Sequence, residues 1–284
     1  MMVELPHDPD AHERLAARLE AEGYRVLRDE PAAAAWTYRQ FADWYRARTV
    51  AERSQIYAFM TYDYMVNWAL RRAGASPDDP LIPRRALPYQ LDDPAIRAYV
   101  DMIDHLMTQA AAPERLAITR LFNMRGLTSV SAQWSARMER LHPGAVLRDP
   151  AYLSCSLRWD WGVDPSRAGL IWGTEPRPHH LPQHHAVILL EAGAPLLPVW
   201  SWYDLADYPR NGQVWVEVLL PRGLALRVLE RPGPENNHRW IFCPVGGQSQ
   251  PEAAEALARA TAEHATRAEG AAQKRAQLLG HPIT

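Results

Sequence analysis

Three short stretches of this 284-residue chain carry side chains that strand packing alone does not call for. The first is Leu116-Ala117-Ile118-Thr119-Arg120-Leu121-Phe122. Alternate side chains of a strand share a face, so Arg120 falls with Leu116, Ile118 and Phe122. A guanidinium among apolar neighbours calls for an anion, either a carboxylate or a phosphate. An interior or edge salt bridge meets that need as well as a ligand does. The second stretch is Tyr152-Leu153-Ser154-Cys155-Ser156-Leu157. Leu153, Cys155 and Leu157 share one face, and Tyr152, Ser154 and Ser156 share the other. Two hydroxyls on one face can position a carboxylate or bind a sugar hydroxyl, although serine on a polar strand face is common. The third is Gln213-Val214-Trp215-Val216-Glu217-Val218-Leu219-Leu220. Its valines and Leu220 form an apolar face, and Gln213, Trp215, Glu217 and Leu219 form the other. Burying an unpaired charge is costly, so Glu217 either sits on a wet sheet face or is held there for use.

The elements that must position these residues follow from periodicity and punctuation. An amphipathic helix is expected over residues 9–22, closed by Gly23, and further helices over 36–48, 50–73 and from Asp92 or Asp93 to about Ala111. After Pro113 the pattern turns to strands at 116–122, within 145–157, at 186–192, 213–220, 224–229 and 239–244, with a short helix at 131–141. Residues 160–182 and 196–212 read as irregular loops, and 251–279 as an alanine-rich helix. Helices, then strands, then a helix is the order of an α+β fold, not of alternating α/β units. The expected division is a helical region at 1–112 packed on the core, a β core at 113–250 and a C-terminal helix at 251–284.

Composition excludes several broad classes. A formal net charge of -2 gives no global field toward nucleic acid or membrane. Cys155 and Cys243 are too few and too far apart for a disulfide framework or a zinc site, which fits a reducing compartment. No apolar run approaches the roughly 18 residues that a membrane helix needs. The first residues lack the basic-then-apolar pattern of a secretory signal. The chain is therefore expected to act in a cytoplasm, with delivery by a signal-independent route if it is exported. His179, His180, His184 and His185 resemble a metal tract, but proline breaks the segment and helical ligand spacing is missing; no metal is expected.

The arginine strand, the Ser-x-Ser strand and the glutamate strand occur in that order. On these motifs the sequence resembles the mono-ADP-ribosyltransferases of the arginine–serine–glutamate class, the bacterial toxin and exoenzyme type. The resemblance includes the Pro113 to Arg120 lead-in, the Gly144 to Ser156 block with Ser154-Cys155-Ser156 for the family's Ser-Thr-Ser, and Val216 to Gly223. It covers roughly residues 110–245, and the upstream helices, including Phe41 to Tyr45, look like the family's helical lead-in. It implies a split, twisted β-sandwich that binds NAD as co-substrate in the cleft between its sheets. It also implies that Arg120 holds the NAD phosphates, that Ser154 orients the glutamate and the nicotinamide ribose, and that Glu217 hydrogen-bonds the ribose 2′-hydroxyl. Ser156 and Trp172 join this set as NAD-binding candidates, Trp172 being chosen among Trp159, Trp161 and Trp172 as a stacking surface for nicotinamide; Arg125 is a rival to Arg120.

One departure bears on the acceptor. Two residues before the glutamate the family usually has glutamate or glutamine, whereas this chain has Trp215. Tryptophan cannot act as a base toward an arginine acceptor. Gln213 lies one strand alternation upstream, about 7 Å away. The 198–212 loop, which in this family presents the acceptor, carries Trp200, Trp202, Tyr203 and Tyr208; these either pack the loop or stack on a nucleobase or an aromatic protein patch. Trp215, Gln213, Trp202 and Tyr203 are therefore the recognition candidates. The expected activity is transfer of ADP-ribose from NAD to a macromolecule, protein or nucleic acid, by a toxin or effector, with an immunity or antitoxin partner in keeping with such a role. An NAD glycohydrolase and a non-catalytic binding module are the competing readings.

Overall fold

The computed structural model describes residues 9–56, 66–67, 69–70, 94–122, 136–160, 184–199 and 216–245. The helices that precede the strands include α1 (Pro9–Ala21), α2 (Glu30–Arg46) and α3 (Pro94–Met107), and residues 50–56 are helical as well. The strands are β1 (Leu116–Phe122), β2 (Val146–Arg148), β3 (Leu153–Ser156), β4 (His184–Leu190), β5 (Leu197–Val199), β6 (Glu217–Leu220), β7 (Ala225–Glu230) and β8 (Trp240–Pro244). They form one mixed sheet in the order β2-β7-β8-β4-β1-β3-β6-β5, with β4 and β8 parallel and the other pairs antiparallel. The α+β class expected from the element order is what the chain adopts.

The middle of this sheet is its weakest seam. β1 pairs with β4 over its full length, from Leu116↔Leu190 to Phe122↔His184. It meets β3 at a single register position, Thr119↔Ser156. The sheet thus divides into a five-stranded part ending at β1 and a three-stranded part, β3-β6-β5. Ile118, Ile188, Phe242 and Leu226 of the first share one apolar cluster with Leu153, Cys155, Val218 and Leu220 of the second. The expected split sandwich therefore takes the form of two packed faces joined by one bridge, where the hydroxyl of Thr119 donates to the carbonyls of Ser156 and Arg158.

Helices cover the outer faces. Leu15, Ala16 and Leu19 of α1 pack on Val187, Leu189 and Ile241. Val100, Ile103 and Met107 of α3 pack on Tyr152, Leu197, Val199 and Leu219. Covered on both sides, residues 186–190 of β4 are all buried, which accounts for their continuous apolar run. From α2, Trp36 and Phe41 enter the inter-sheet cluster, while Tyr45 joins the cluster under α3.

Several expected boundaries move. The second helix starts at Glu30 instead of Trp36, because the Asp29 carboxylate caps it by accepting from the Ala32 amide at 2.8 Å, with proline in the first turn. His184 and His185, expected in a loop, begin β4. The expected 196–212 loop contains β5, a three-residue edge strand that pairs with β6 despite Pro198. Asp160, at the start of the expected 160–182 loop, forms a two-armed ion pair with Arg158 at 2.9 and 2.8 Å. Strand β6 begins at Glu217, and the upstream part of that stretch, 213–215, lies outside the described residues, as do the loop 160–182 beyond Asp160, most of 50–73 and the whole of 251–279.

Candidate active site

The β3–β6 ladder sets the geometry. Its register pairs Leu153 with Leu220, Ser154 with Leu219, Cys155 with Val218 and Ser156 with Glu217; the Leu157 amide bonded to the Val216 carbonyl at 3.0 Å extends it. Leu153, Cys155 and Val218 turn into the inter-sheet core. Alternation then places Ser154, Ser156 and Glu217 on the opposite face, the face of Tyr152 and Leu219. Glu217 stands directly across from Ser156, yet its Oε1 accepts from the hydroxyl of Ser154, its diagonal neighbour. The Ser156 hydroxyl instead accepts from the Arg158 amide at 3.1 Å and is buried at the end of the strand. Of the two hydroxyls, Ser154 is the one joined to the carboxylate.

Arg120 arrives from β1 on the face of Leu116, Ile118 and Phe122, as its strand position requires. Its Nη1 donates to the main-chain carbonyl of Ser154, and its guanidinium carbon lies 5.4 Å from the Phe122 ring centroid. Phe122 is itself buried edge-on against Phe242, which stacks on Trp240, so the aromatic surface under the guanidinium is rigidly backed. Ser154 thus touches the arginine through its carbonyl and the glutamate through its hydroxyl. Hydrogen bonds to charged groups contribute about 1.5–3 kcal/mol each, enough to hold both side chains in defined rotamers. Cys155 lies in the apolar core between them. Burial pushes its thiol up to about 12, with the Arg120 charge opposing that rise and Glu217 adding to it, so the thiol stays protonated and packs as an apolar group.

The sequence reading missed a half-buried carboxylate against this same face. Asp104 of α3 accepts from Nε and Nη2 of Arg222 at 2.8 and 2.6 Å and from the Tyr152 hydroxyl at 2.5 Å. Burial raises the Asp104 carboxyl even though Arg222 and Tyr152 both favour its ionised form, and it raises the Tyr152 phenol further still. The signal in the sequence was an arginine placed directly after an apolar strand in Pro221-Arg222-Gly223, and nothing local pointed to its partner. Gly223 follows with φ 72°, a left-handed turn conformation that favours glycine.

The recognition candidates Gln213, Trp215, Trp202 and Tyr203, the stacking candidate Trp172 and the rival Arg125 lie outside the described residues. Among the described residues no helix is long and apolar enough to cross a membrane.

No protein-family model and no curated protein matches the sequence. The chain is similar to solved structures of bacterial C3-like and related ADP-ribosyltransferase toxins. The C3 exoenzyme of Clostridium limosum is 18% identical with a TM-score of 0.46, covering 78% of this chain and 96% of its own. Plx2a, an ADP-ribosyltransferase toxin from Paenibacillus larvae, is 15% identical with a TM-score of 0.47, covering 78% and 99%. C3stau2 from S. aureus, solved with NAD, is 15% identical with a TM-score of 0.47, covering 78% and 97%. At these identities and scores the similarity assigns no activity, substrate or site to this chain.

Proposed function

We propose that this protein is an NAD-dependent mono-ADP-ribosyltransferase that releases nicotinamide and transfers ADP-ribose to a macromolecular acceptor, as a toxin or effector. The observation that carries the reading is the Ser154–Glu217 hydrogen bond, with Arg120 bonded to the same serine's carbonyl. Three adjacent strands thereby bring together the residue types that the chemistry needs.

In the proposed reaction the bond between ribose C1′ and the nicotinamide nitrogen breaks. Its electron pair leaves with nicotinamide, which departs neutral, and C1′ gains oxocarbenium character as in glycoside cleavage. The acceptor nucleophile then bonds to C1′ and loses its proton. Glu217, oriented by Ser154, would hold the 2′-hydroxyl and stabilise the positive charge developing beside it, an effect worth about 3 kcal/mol for one key group. Arg120, seated on Phe122, would hold the phosphates. The leaving group needs no metal ion to stabilise it.

A second reading, hydrolysis of NAD with water as acceptor, is favoured by Trp215, at the position where the family that the sequence resembles usually has glutamate or glutamine. Incubation with NAD labelled in the adenylate part, together with a cell lysate, separates the two. Label on protein, RNA or DNA supports transfer. Free nicotinamide and free labelled ADP-ribose support hydrolysis. Absence of both products rejects the proposal.

A further inference from the structure

We propose that Asp104 is a positioning residue for the Ser154–Glu217 pair, acting through Tyr152 and Arg222; this rests on the reading of that pair as the NAD-cleaving machinery. The three-stranded part that carries Ser154 and Glu217 meets the rest of the sheet at one register position, Thr119↔Ser156. Ladder pairing therefore does little to hold it against β1 and Arg120. Apolar packing surrounds it on both faces, but such contacts are non-directional and tolerate sliding. Directional contacts to β3 come from Thr119 and Arg120 on the β1 side, and Asp104 supplies one from the helix side that reaches both β3 and β6.

One carboxylate grips both strands of the site. Tyr152 lies immediately before β3 and shares the face of Ser154; Arg222 follows β6 in the turn after Glu217 and its strand. Their donors converge on Asp104 at 2.5, 2.6 and 2.8 Å. Arg222 is 5% exposed and Tyr152 is fully buried, while the Asp104 side chain keeps 13% exposure, so solvent competes little. The Tyr152 amide is also held, donating to Asn67 Oδ1 at 3.1 Å. Displacement at this end passes along a ladder of four register pairs to Ser154 and Glu217, which share the Tyr152–Leu219 face. A buried ion pair is often no more stable than an apolar replacement. What it adds is fixed geometry, and catalysis is sensitive to that: a 1 Å misplacement can cost on the order of 100-fold in rate.

The test is nicotinamide release by Asp104→Asn, Arg222→Met and Tyr152→Phe, at a temperature where each is folded by circular dichroism. The expected result is a fall in kcat of about tenfold or more for the first two and a smaller fall for the third, with KM for NAD within about twofold. The double variant Asp104→Leu with Arg222→Met removes both charges and restores apolar packing; its kcat is expected to stay low although it folds. Wild-type kcat in the double variant, or losses that only track the folded fraction, overturns the proposal. Hydrogen exchange without NAD gives a reading independent of turnover. Asp104→Asn should speed exchange at 153–156 and 217–220 while leaving 186–188 and 240–242 unchanged; uniform or absent change overturns the positioning role. If the wild type releases no nicotinamide, the proposed function falls, and the exchange result alone decides the positioning role.

Discussion

Ser154 donates its hydroxyl to Oε1 of Glu217, although the residue directly opposite Glu217 in the ladder is Ser156. A serine thus selects one rotamer of the carboxylate, and it is the diagonal serine and not the one directly opposite. Ser156 is engaged by the Arg158 amide, and Arg158 is tied to Glu30 and Asp160 at 2.7 and 2.8 Å.

Glu217→Gln keeps the size of the side chain and a hydrogen-bonding oxygen but removes the charge. The expected result is a fall in nicotinamide release of about 10²–10³-fold, with NAD affinity largely unchanged. Isothermal titration with NAD beside a turnover assay checks both halves, and normal turnover in this variant would reject Glu217 as the catalytic group. Ser154→Ala should lower kcat in the same direction by a smaller factor.

Arg120→Ala should weaken NAD binding by about tenfold or more, the equivalent of one lost charge-assisted hydrogen bond. Phe122→Leu should weaken it less, because it removes only the aromatic surface beneath the guanidinium, a contact worth roughly 0.5–2 kcal/mol. Unchanged affinity in Arg120→Ala would move the phosphate-binding role to another cation.

His184 accepts from Trp240 Nε1 at 3.4 Å through Nδ1, which requires that nitrogen to be unprotonated. Burial lowers its pKa below the ordinary 6.5, against a smaller opposing pull from Glu139. The unfolded chain therefore takes up the proton more readily than the folded one. Its contribution to stability is fully present above about pH 6.5 and is lost as pH falls below that value. Urea midpoints at pH 7.5 and pH 5.5 should differ more in the wild type than in His184→Phe. Equal pH dependence in the two proteins would exclude His184 as the source.

Arg239 is 2% exposed, and its two terminal nitrogens have no hydrogen-bond partner among the described residues. Its guanidinium lies 4.8 Å from the Trp159 ring centroid. Burial pulls its pKa down to about 10, with Asp160 opposing. Arg239→Met keeps the stem and removes a poorly satisfied charge, so stability should hold or rise by up to roughly 2 kcal/mol. A loss of more than about 1 kcal/mol in chemical denaturation would mean that the charge is satisfied and stabilising.

Local chemistry determined a good part of this protein. The period-two pattern of 116–122 and of 152–157 and the apolar face of Val216, Val218 and Leu220 placed Arg120, Ser154 and Glu217 on strands and put Cys155 in the core. Gly23 marked the end of α1, and the order of helices and strands marked the α+β class. These were readable because side-chain alternation and backbone conformational preference act within a few residues. Alternation states which face a residue takes and leaves open which strand lies beside it. Only the tertiary structure set β3 against β6 and β1 between β3 and β4, and so chose Ser154 over Ser156 as the partner of Glu217. It alone recruited the short edge strand β5, whose proline hid it, and drew the histidines at 184–185 into β4. It alone brought Asp104, Tyr152 and Arg222 together from distant parts of the chain. A buried ion pair has no local signature, since each charge looks solvated until the other is folded against it.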